Sequence, residues 1–214
     1  MGKIFTRRVR FKDLFLSIHL VWKKRIFGSK KERDGLIEYT KKALAFAEAV
    51  GAGSIVFGCP KNRNGFKKSP QENSKISTEF FNKLADIAGE YHVMISIEAN
   101  PVLYGTDFLT STEEAIDFIA RLNRDYIGLN LDIGTMLYNL EKMNSIKGYE
   151  KFIGHVHISE PCLLEIKERK EHKDIVDFLK VAGYDKAVSI EMQKQESIEG
   201  ICKAMRYIKR IFNP

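Results

Sequence analysis

Short apolar runs alternate with amphipathic stretches of helical period along nearly the whole chain, and this alternation restricts the fold more than any other feature. The runs are Leu14–Val21 (LFLSIHLV), Ser54–Phe57 (SIVF), Val93–Glu98 (VMISIE), Ile127–Asp132 (IGLNLD), Phe152–Ile158 (FIGHVHI) and Ala187–Glu191 (AVSIE). Between them lie stretches with apolar residues three and four apart. Leu36, Ala43, Phe46, Ala47 and Val50 mark a helix over Glu32–Val50 that Gly51 and Gly53 end. Phe80, Leu84, Ile87, Ala88 and Tyr91 mark a second helix, after a polar loop that runs to about Glu72. Ser111 and Glu114 form a capping-box pattern before a helix with Ala115, Phe118, Ile119 and Leu122 inward. Ile175, Phe178, Leu179 and Ala182 stripe a helix that Gly183 stops, and Ile198, Ile201, Met205, Ile208 and Phe212 stripe the last one. Strands separated by helices pair in parallel through right-handed crossovers, so the pattern predicts an α/β fold of six β-then-α units. An open doubly wound sheet and a closed barrel both satisfy it. No GxGxxG follows a strand and no GxxxxGK[ST] is present, which disfavours the nucleotide-binding versions.

The 214 residues suit one domain with a sizeable core, and 44% apolar with 29% charged residues is a soluble, globular balance. No apolar run approaches the roughly 20 residues that span a bilayer, so no membrane partner is expected. The start, MGKIFTRRVRFKDLFL, lacks the apolar segment and cleavage site of a signal peptide. Cys59, Cys162 and Cys202 lie far apart with no CxxC spacing, which argues against a disulfide framework and makes the reduced cytoplasm the expected location. The net charge of +7 is uneven: residues 1–70 carry +12 and residues 71–214 carry −5. A solvated basic surface accounts for this, and an anionic substrate, such as a sugar phosphate, and nucleic acid are the sharper readings.

Four runs in a row end on a potential metal ligand. Glu98 closes VMISIE, Asp132 closes IGLNLD, His157 lies at the end of FIGHVHI, and Glu191 closes AVSIE. Sites in parallel α/β folds collect at the carboxyl ends of strands, and neighbouring strands lie about 4.8 Å apart, so four adjacent ends can aim at one point. Three carboxylates and one imidazole suit one Mn²⁺, Mg²⁺ or Co²⁺, and Zn²⁺ also accepts such a set. Any one of these residues alone is better read as a strand end meeting water or as a core histidine. The coincidence of four carries the prediction.

Other residues are weaker candidates for holding substrate. Lys61 and Arg63 follow a strand end in FGCPKNR and could hold a phosphate. Asn100, just past Glu98, could donate to a sugar hydroxyl or form the turn before Pro101. Glu160 and His19 could reach a pocket. His155 shares a face with His157, as barrel filling or support for the site, and Trp22 could stack on a sugar ring or pack in the core.

The phrases FGCPKNR, SIEANPVLYGTDFLT, LNLDIG, HVHISEP and AGYDKAVSIEM resemble the xylose-isomerase-like TIM barrels, in particular bacterial sugar phosphate isomerases/epimerases. The intervals of 34, 25 and 34 residues between the four ligands resemble the ketose 3-epimerase branch. The resemblance runs from about Leu14 to the C-terminus. It implies a (β/α)₈ barrel in which Glu98, Asp132, His157 and Glu191 bind one divalent ion. Glu98 and Glu191 would also be the acid–base pair acting on a sugar or sugar phosphate through an enediolate.

Two departures stand out. The family usually has a histidine where this chain has Thr135, which leaves Thr135 only a hydrogen-bonding role toward substrate. Aligning Glu98 with the fifth barrel strand makes Leu14–Val21 the third. The chain then reads as about six β/α units over residues 14–214, N-terminally truncated or begun late, behind an atypical basic segment, residues 1–13. An open barrel edge at Leu14–Val21 would be covered by residues 1–13 or by a second copy in a homo-oligomer. Two alternatives remain: a non-catalytic relic serving as a binding or assembly subunit, and an endonuclease-IV-like phosphodiesterase. The latter, and with it a nucleic-acid partner, is disfavoured because that branch needs a histidine-rich three-metal cluster and this chain has five histidines in all.

Overall fold

The computed structural model describes residues 24–65 and 68–212, together with the backbone of Phe15–Ser17. Six strands form one parallel sheet in sequential order: β1 (Phe15–Ser17), β2 (Ser54–Phe57), β3 (Met94–Glu98), β4 (Ile127–Asp132), β5 (Ile153–Ser159) and β6 (Val188–Glu191). The helices are α1 (Lys30–Ala49), α2 (Pro70–Glu90), α3 (Thr112–Leu122), α4 (Ile133–Tyr138), α5 (Lys170–Val181) and α6 (Ile198–Phe212). Every strand from β2 onward is followed by a helix, as the alternation predicts. The sheet curls as part of a barrel wall. Of the first predicted strand, only Phe15–Ser17 is described; His19 and Trp22 lie outside the described residues.

The two faces of the sheet differ in chemistry. Ile55, Phe57, Ile95, Ile97, Leu129, Leu131, Val156 and Ile158 are fully buried apolar residues, and on the face toward the helices Phe57, Phe80, Phe81, Phe118, Phe108 and Phe27 join in a chain of edge-to-face aromatic contacts. The concave face carries Ser54, Ser96, Glu98, Asn130, Asp132, His155, His157, Ser189 and Glu191. These pair with one another: Ser54 Oγ lies 2.8 Å from Ser96 Oγ, and His155 Nε2 lies 3.0 Å from Ser189 Oγ. A sheet with such an interior is a site wall.

Local signals set the helix starts. Ser29 and Glu32 form a reciprocal capping box at α1. At α3 the pattern is only half realised: Ser111 accepts from the Glu114 amide, but the Glu114 carboxylate turns to Thr110. Helix α2 starts ten residues before the apolar stripe, because Ser69 caps it and Pro70 takes the first helical position, where its missing N–H costs nothing. Two predicted inward faces are corrected. Phe46 is exposed, and Leu36, Ile37, Thr40, Leu44 and Ala47 form the buried face of α1. On α6, Ala204, Tyr207 and Ile211 are buried while Ile198, Ile201 and Met205 face solvent, since α6 has α5 on one side and no further helix among the described residues on the other.

Candidate metal centre

Register brings the four strand-end residues together. Glu98 stands beside Asn130, Asp132 beside His157, and Glu191 beside Ser159. One irregularity is decisive. Between Leu129 and Asn130 the pairing to β5 skips Gly154, so Leu129 faces Ile153 and Asn130 faces His155. Without that extra residue Val156 would stand beside Asp132. The bulge flips the parity of β5 and puts both imidazoles on the concave face. A glycine is required there, because a Cβ on Gly154 would lie 2.4 Å from Ser96 Oγ and 2.5 Å from Met94 sulfur.

The ligand atoms of Glu98, Asp132, His157 and Glu191 all lie within 4.8 Å of one another. His157 Nδ1 is 3.2 Å from Glu98 Oε2, 3.0 Å from Glu191 Oε2 and 4.0 Å from Asp132 Oδ2. Donors at right angles on an ion with bonds of about 2.1 Å are about 3.0 Å apart, and opposite donors about 4.2 Å apart. The His157 distances fall in that range, so the cluster fits a small divalent ion without rearrangement of the backbone. Glu98, Asp132 and His157 are buried, while the Glu191 side chain is 28% exposed, so the cage opens on the β6 side.

The charges in the cluster are strained. Burial pushes Asp132 up to about 6, and the neighbouring Glu98 charge pushes the same way, against hydrogen bonds from Ser159 and the Thr135 amide. Burial pulls His157 down, but hydrogen bonds to Glu191 and Glu98 and their charges outweigh it and hold the imidazole up to about 10. Without an ion, the proton on His157 is the cage's cation. His155, buried behind it in edge-to-face contact, is pushed down to about 3 by desolvation and by His157.

Protein hydrogen bonds fix the three inner ligands. Asp132 accepts from Ser159 Oγ at 2.5 Å and, as the N-cap of α4, from the Thr135 amide at 2.6 Å. Glu98 Oε1 accepts from Asn100 at 2.8 Å, and Oε2 from Asn130 at 2.5 Å. Asn130 Nδ2 also lies 3.0 Å from His157 Nδ1, while its buried Oδ1 has no partner. Gly58 at the end of β2 leaves the necessary space, since a Cβ there would lie 2.7 Å from Glu98 Oε1.

The other candidate residues have the following surroundings. Arg63 is fully buried, with its guanidinium turned to the Glu98 carbonyl and the Asn100 side chain instead of a solvent-facing phosphate. Asn100 is spent on Glu98 and the Ala99 carbonyl. Thr135 is buried and donates to the Ala99 carbonyl at 3.1 Å. Glu160 is buried and clamped by Arg169, with bonds of 2.6 to 2.8 Å, and by the Lys167 amide. Lys61 is exposed. Sequence reasoning passed over Asn130, Ser159, Gly58 and Gly154. Asn130 and Ser159 lie two residues from a ligand on the same strand, so the period-two rule that singled out His155 also reaches them.

The sequence matches the xylose isomerase-like TIM barrel family over residues 8–211, and the chain belongs to that family. Solved structures share the fold. The 3-keto-D-glucoside 4-epimerase YcjR from E. coli superposes with a TM-score of 0.76 at 14% identity, over 87% of this chain and 75% of that one. An L-ribulose 3-epimerase gives 0.72 at 22% identity, over 90% of this chain and 66% of that one. The IolI protein, solved with a bound zinc atom, gives 0.74 at 20% identity, over 93% and 76%. No curated protein sequence matches. Among the described residues, no helix is long and apolar enough to cross a membrane, and Cys59, Cys162 and Cys202 are free thiols.

Proposed function

We propose that the chain is a divalent-metal-dependent isomerase or epimerase of a sugar or sugar phosphate, with Glu98 and Glu191 as the acid–base pair. The observation that carries this reading is the convergence of the two glutamates on one imidazole nitrogen. They come from β3 and β6, the two ends of a four-strand arc, and both reach His157 Nδ1, at 3.2 and 3.0 Å. A carbon held between them can lose a proton to one and regain it from the other on its opposite face, which is epimerisation. Removal and return on neighbouring carbons gives aldose–ketose isomerisation. A bound divalent ion, held by Glu98, Asp132, His157 and Glu191, supplies charge stabilisation for the enediolate. Asp132, fixed at two oxygens, holds its place while the glutamates exchange protons. Lys61, exposed in the 3-10 turn after β2, is the cation this reading assigns to a phosphate. The epimerase activities of structural neighbours support the reaction class.

The test is deuterium exchange. The chain, loaded in turn with Mn²⁺, Co²⁺, Mg²⁺ or Zn²⁺, is incubated in D₂O with a panel of ketoses and ketose phosphates and followed by NMR. Wash-in of deuterium beside the carbonyl is expected, and it should vanish in Glu191→Gln. Metal-dependent stabilisation with no exchange on any sugar would favour the non-catalytic binding subunit instead. Absence of stabilisation by all four ions at millimolar concentration would refute the cage.

A further inference from the structure

Arg63 has an arrangement that packing alone does not explain. It follows a short 3-10 turn, Pro60–Asn62, and its backbone is pinned at both ends: the amide donates to the Pro60 carbonyl at 2.9 Å, and the carbonyl accepts from Thr106 Oγ1 at 3.0 Å. The side chain is the largest fully buried one among the described residues. Among the described residues no carboxylate forms an ion pair with it, although the nearby Glu98 charge acts on it. Nη1 donates to the Glu98 carbonyl at 2.6 Å, Nη2 donates to Asn100 Oδ1, and Nε is buried without a partner. Burial pushes the guanidinium down to about 10, so it still carries its charge at neutral pH. A buried charge without an ion-pair partner is strongly unfavourable, and an apolar side chain would fill the same space at less cost. The two hydrogen bonds of Arg63 point to a role in the site.

The contribution follows from hydrogen-bond polarity. The two ends of an asparagine amide have nearly the same shape, but only the oxygen can accept from a guanidinium. Arg63 therefore captures Asn100 Oδ1 and turns the NH₂ end toward Glu98 Oε1, 2.8 Å away. The same guanidinium grips the Glu98 backbone carbonyl, so it fixes both the start of that side chain and its end. With Asn130 on the other carboxylate oxygen, the plane of Glu98 is set from both sides.

We propose that Arg63 is a positioning residue that orients the Glu98 carboxylate through the Asn100 amide. The proposal rests on the reading of Glu98 as a metal ligand. It assigns Arg63 of the FGCPKNR segment to the interior of the site, as a brace.

The test compares the full chain with Arg63→Met, Asn100→Ala, the double variant and Arg63→Lys. The readouts are Mn²⁺ affinity by electron paramagnetic resonance and metal-free crystal structures. Each of the first two single changes should weaken Mn²⁺ binding by about 10- to 100-fold, the range typical of partners behind a metal ligand. Because both act through one amide, the double variant should be no weaker than the weaker single. Arg63→Lys should restore little, since one ammonium lacks the fork that reaches both oxygens. In the metal-free variants the Glu98 carboxylate should leave its single orientation. Singles within twofold of the unaltered chain, or losses that multiply in the double variant, would overturn the relay. Should Arg63→Met fail to fold, Asn100→Ala decides alone. If the unaltered chain binds no Mn²⁺, the cage reading fails, and the metal-free structures still decide the relay: Glu98 unmoved in Asn100→Ala refutes it.

Discussion

The inner and outer parts of the cage are built on different terms. On β3, β4 and β5 the ligands are buried, and at least one oxygen of each carboxylate is held by a side chain or amide of the protein. On β6, all four residues are only half buried, and the Glu191 carboxylate meets His157 with no second hydrogen-bonding partner among the described residues. Interior strands have neighbours on both sides that supply braces; among the described residues β6 has β5 alone. On the proposed function both glutamates exchange protons, Glu98 from a braced strand and Glu191 from the sheet edge among the described residues. Glu98 and Glu191, interchangeable in a reaction scheme, are not interchangeable in mechanics.

The largest effect that could break this comparison is removal of an inner ligand. Asp132→Asn keeps the shape but leaves one fewer charge in the cage. It also presents an amide NH₂ where an oxygen accepts from either Ser159 or the Thr135 amide. Metal affinity should fall by more than about 100-fold, beyond the loss typical of outer partners. Glu191→Gln should lose less affinity and nearly all exchange activity. Equal affinity losses in the two variants, measured by calorimetry, would erase the distinction between braced and free ligands.

Next in size is the bulge. Gly154→Ala places a methyl against Ser96 Oγ and Met94 sulfur, and overpacking of this kind costs about 1–3 kcal/mol. Relief by loss of the bulge would turn His157 away from Asp132, so metal-dependent stabilisation should drop along with the melting temperature. Gly58→Ala is the milder counterpart: it crowds only the Glu98 carboxylate and should reduce Mn²⁺ affinity by roughly tenfold with little loss of fold stability.

The titration of the cage has a definite sign. In the metal-free fold His157 is held up to about 10, against about 6.5 unfolded, so its stabilising contribution is complete below about pH 6.5 and fades as pH rises through 10. Asp132, held up to about 6 against about 3.9 unfolded, contributes below about pH 3.9 and loses this as pH rises through 6. Metal binding runs the other way, because the ion must displace the His157 proton. Apparent affinity should rise by up to about tenfold per pH unit between 7 and 9, with one proton released, as calorimetry in buffers of different ionisation enthalpy would show. A flat profile would mean that His157 does not enter the cage.

Sequence pattern made the four ligands legible because each closes its own strand, and that position needs no tertiary knowledge. It could not reveal the parity flip of β5. Gly154 inside FIGHVHI was the one visible trace, and a strand glycine signals a bulge without saying which neighbour it serves. The partners of Arg63 and Glu160 were not legible for a common reason. A charged residue in a loop reads as solvent-facing, and only the fold shows that the Glu98 carbonyl or Arg169 is there to meet it. Helix α6 erred through composition: Ile198, Ile201 and Met205 are apolar enough to read as core, yet the buried stripe runs through Ala204, Tyr207 and Ile211.

That outer stripe yields the smallest and last prediction. If the β6 edge is free in solution, the exposed face of α6 has nothing packed on it. Met205, 58% exposed, then contributes little to the fold, and Met205→Gln should change stability by no more than about 0.5 kcal/mol. Ile211→Ala, six residues along but on the buried stripe, should cost about 2–5 kcal/mol. Chemical denaturation of the two variants measures the contrast, and sedimentation reports any change of assembly. A cost above about 1 kcal/mol for Met205→Gln, or a lower sedimentation coefficient, would mean that another surface covers α6 in solution. The β6 side would then be enclosed, and the exposure of Glu191 would have to be explained by substrate access through the strand ends alone.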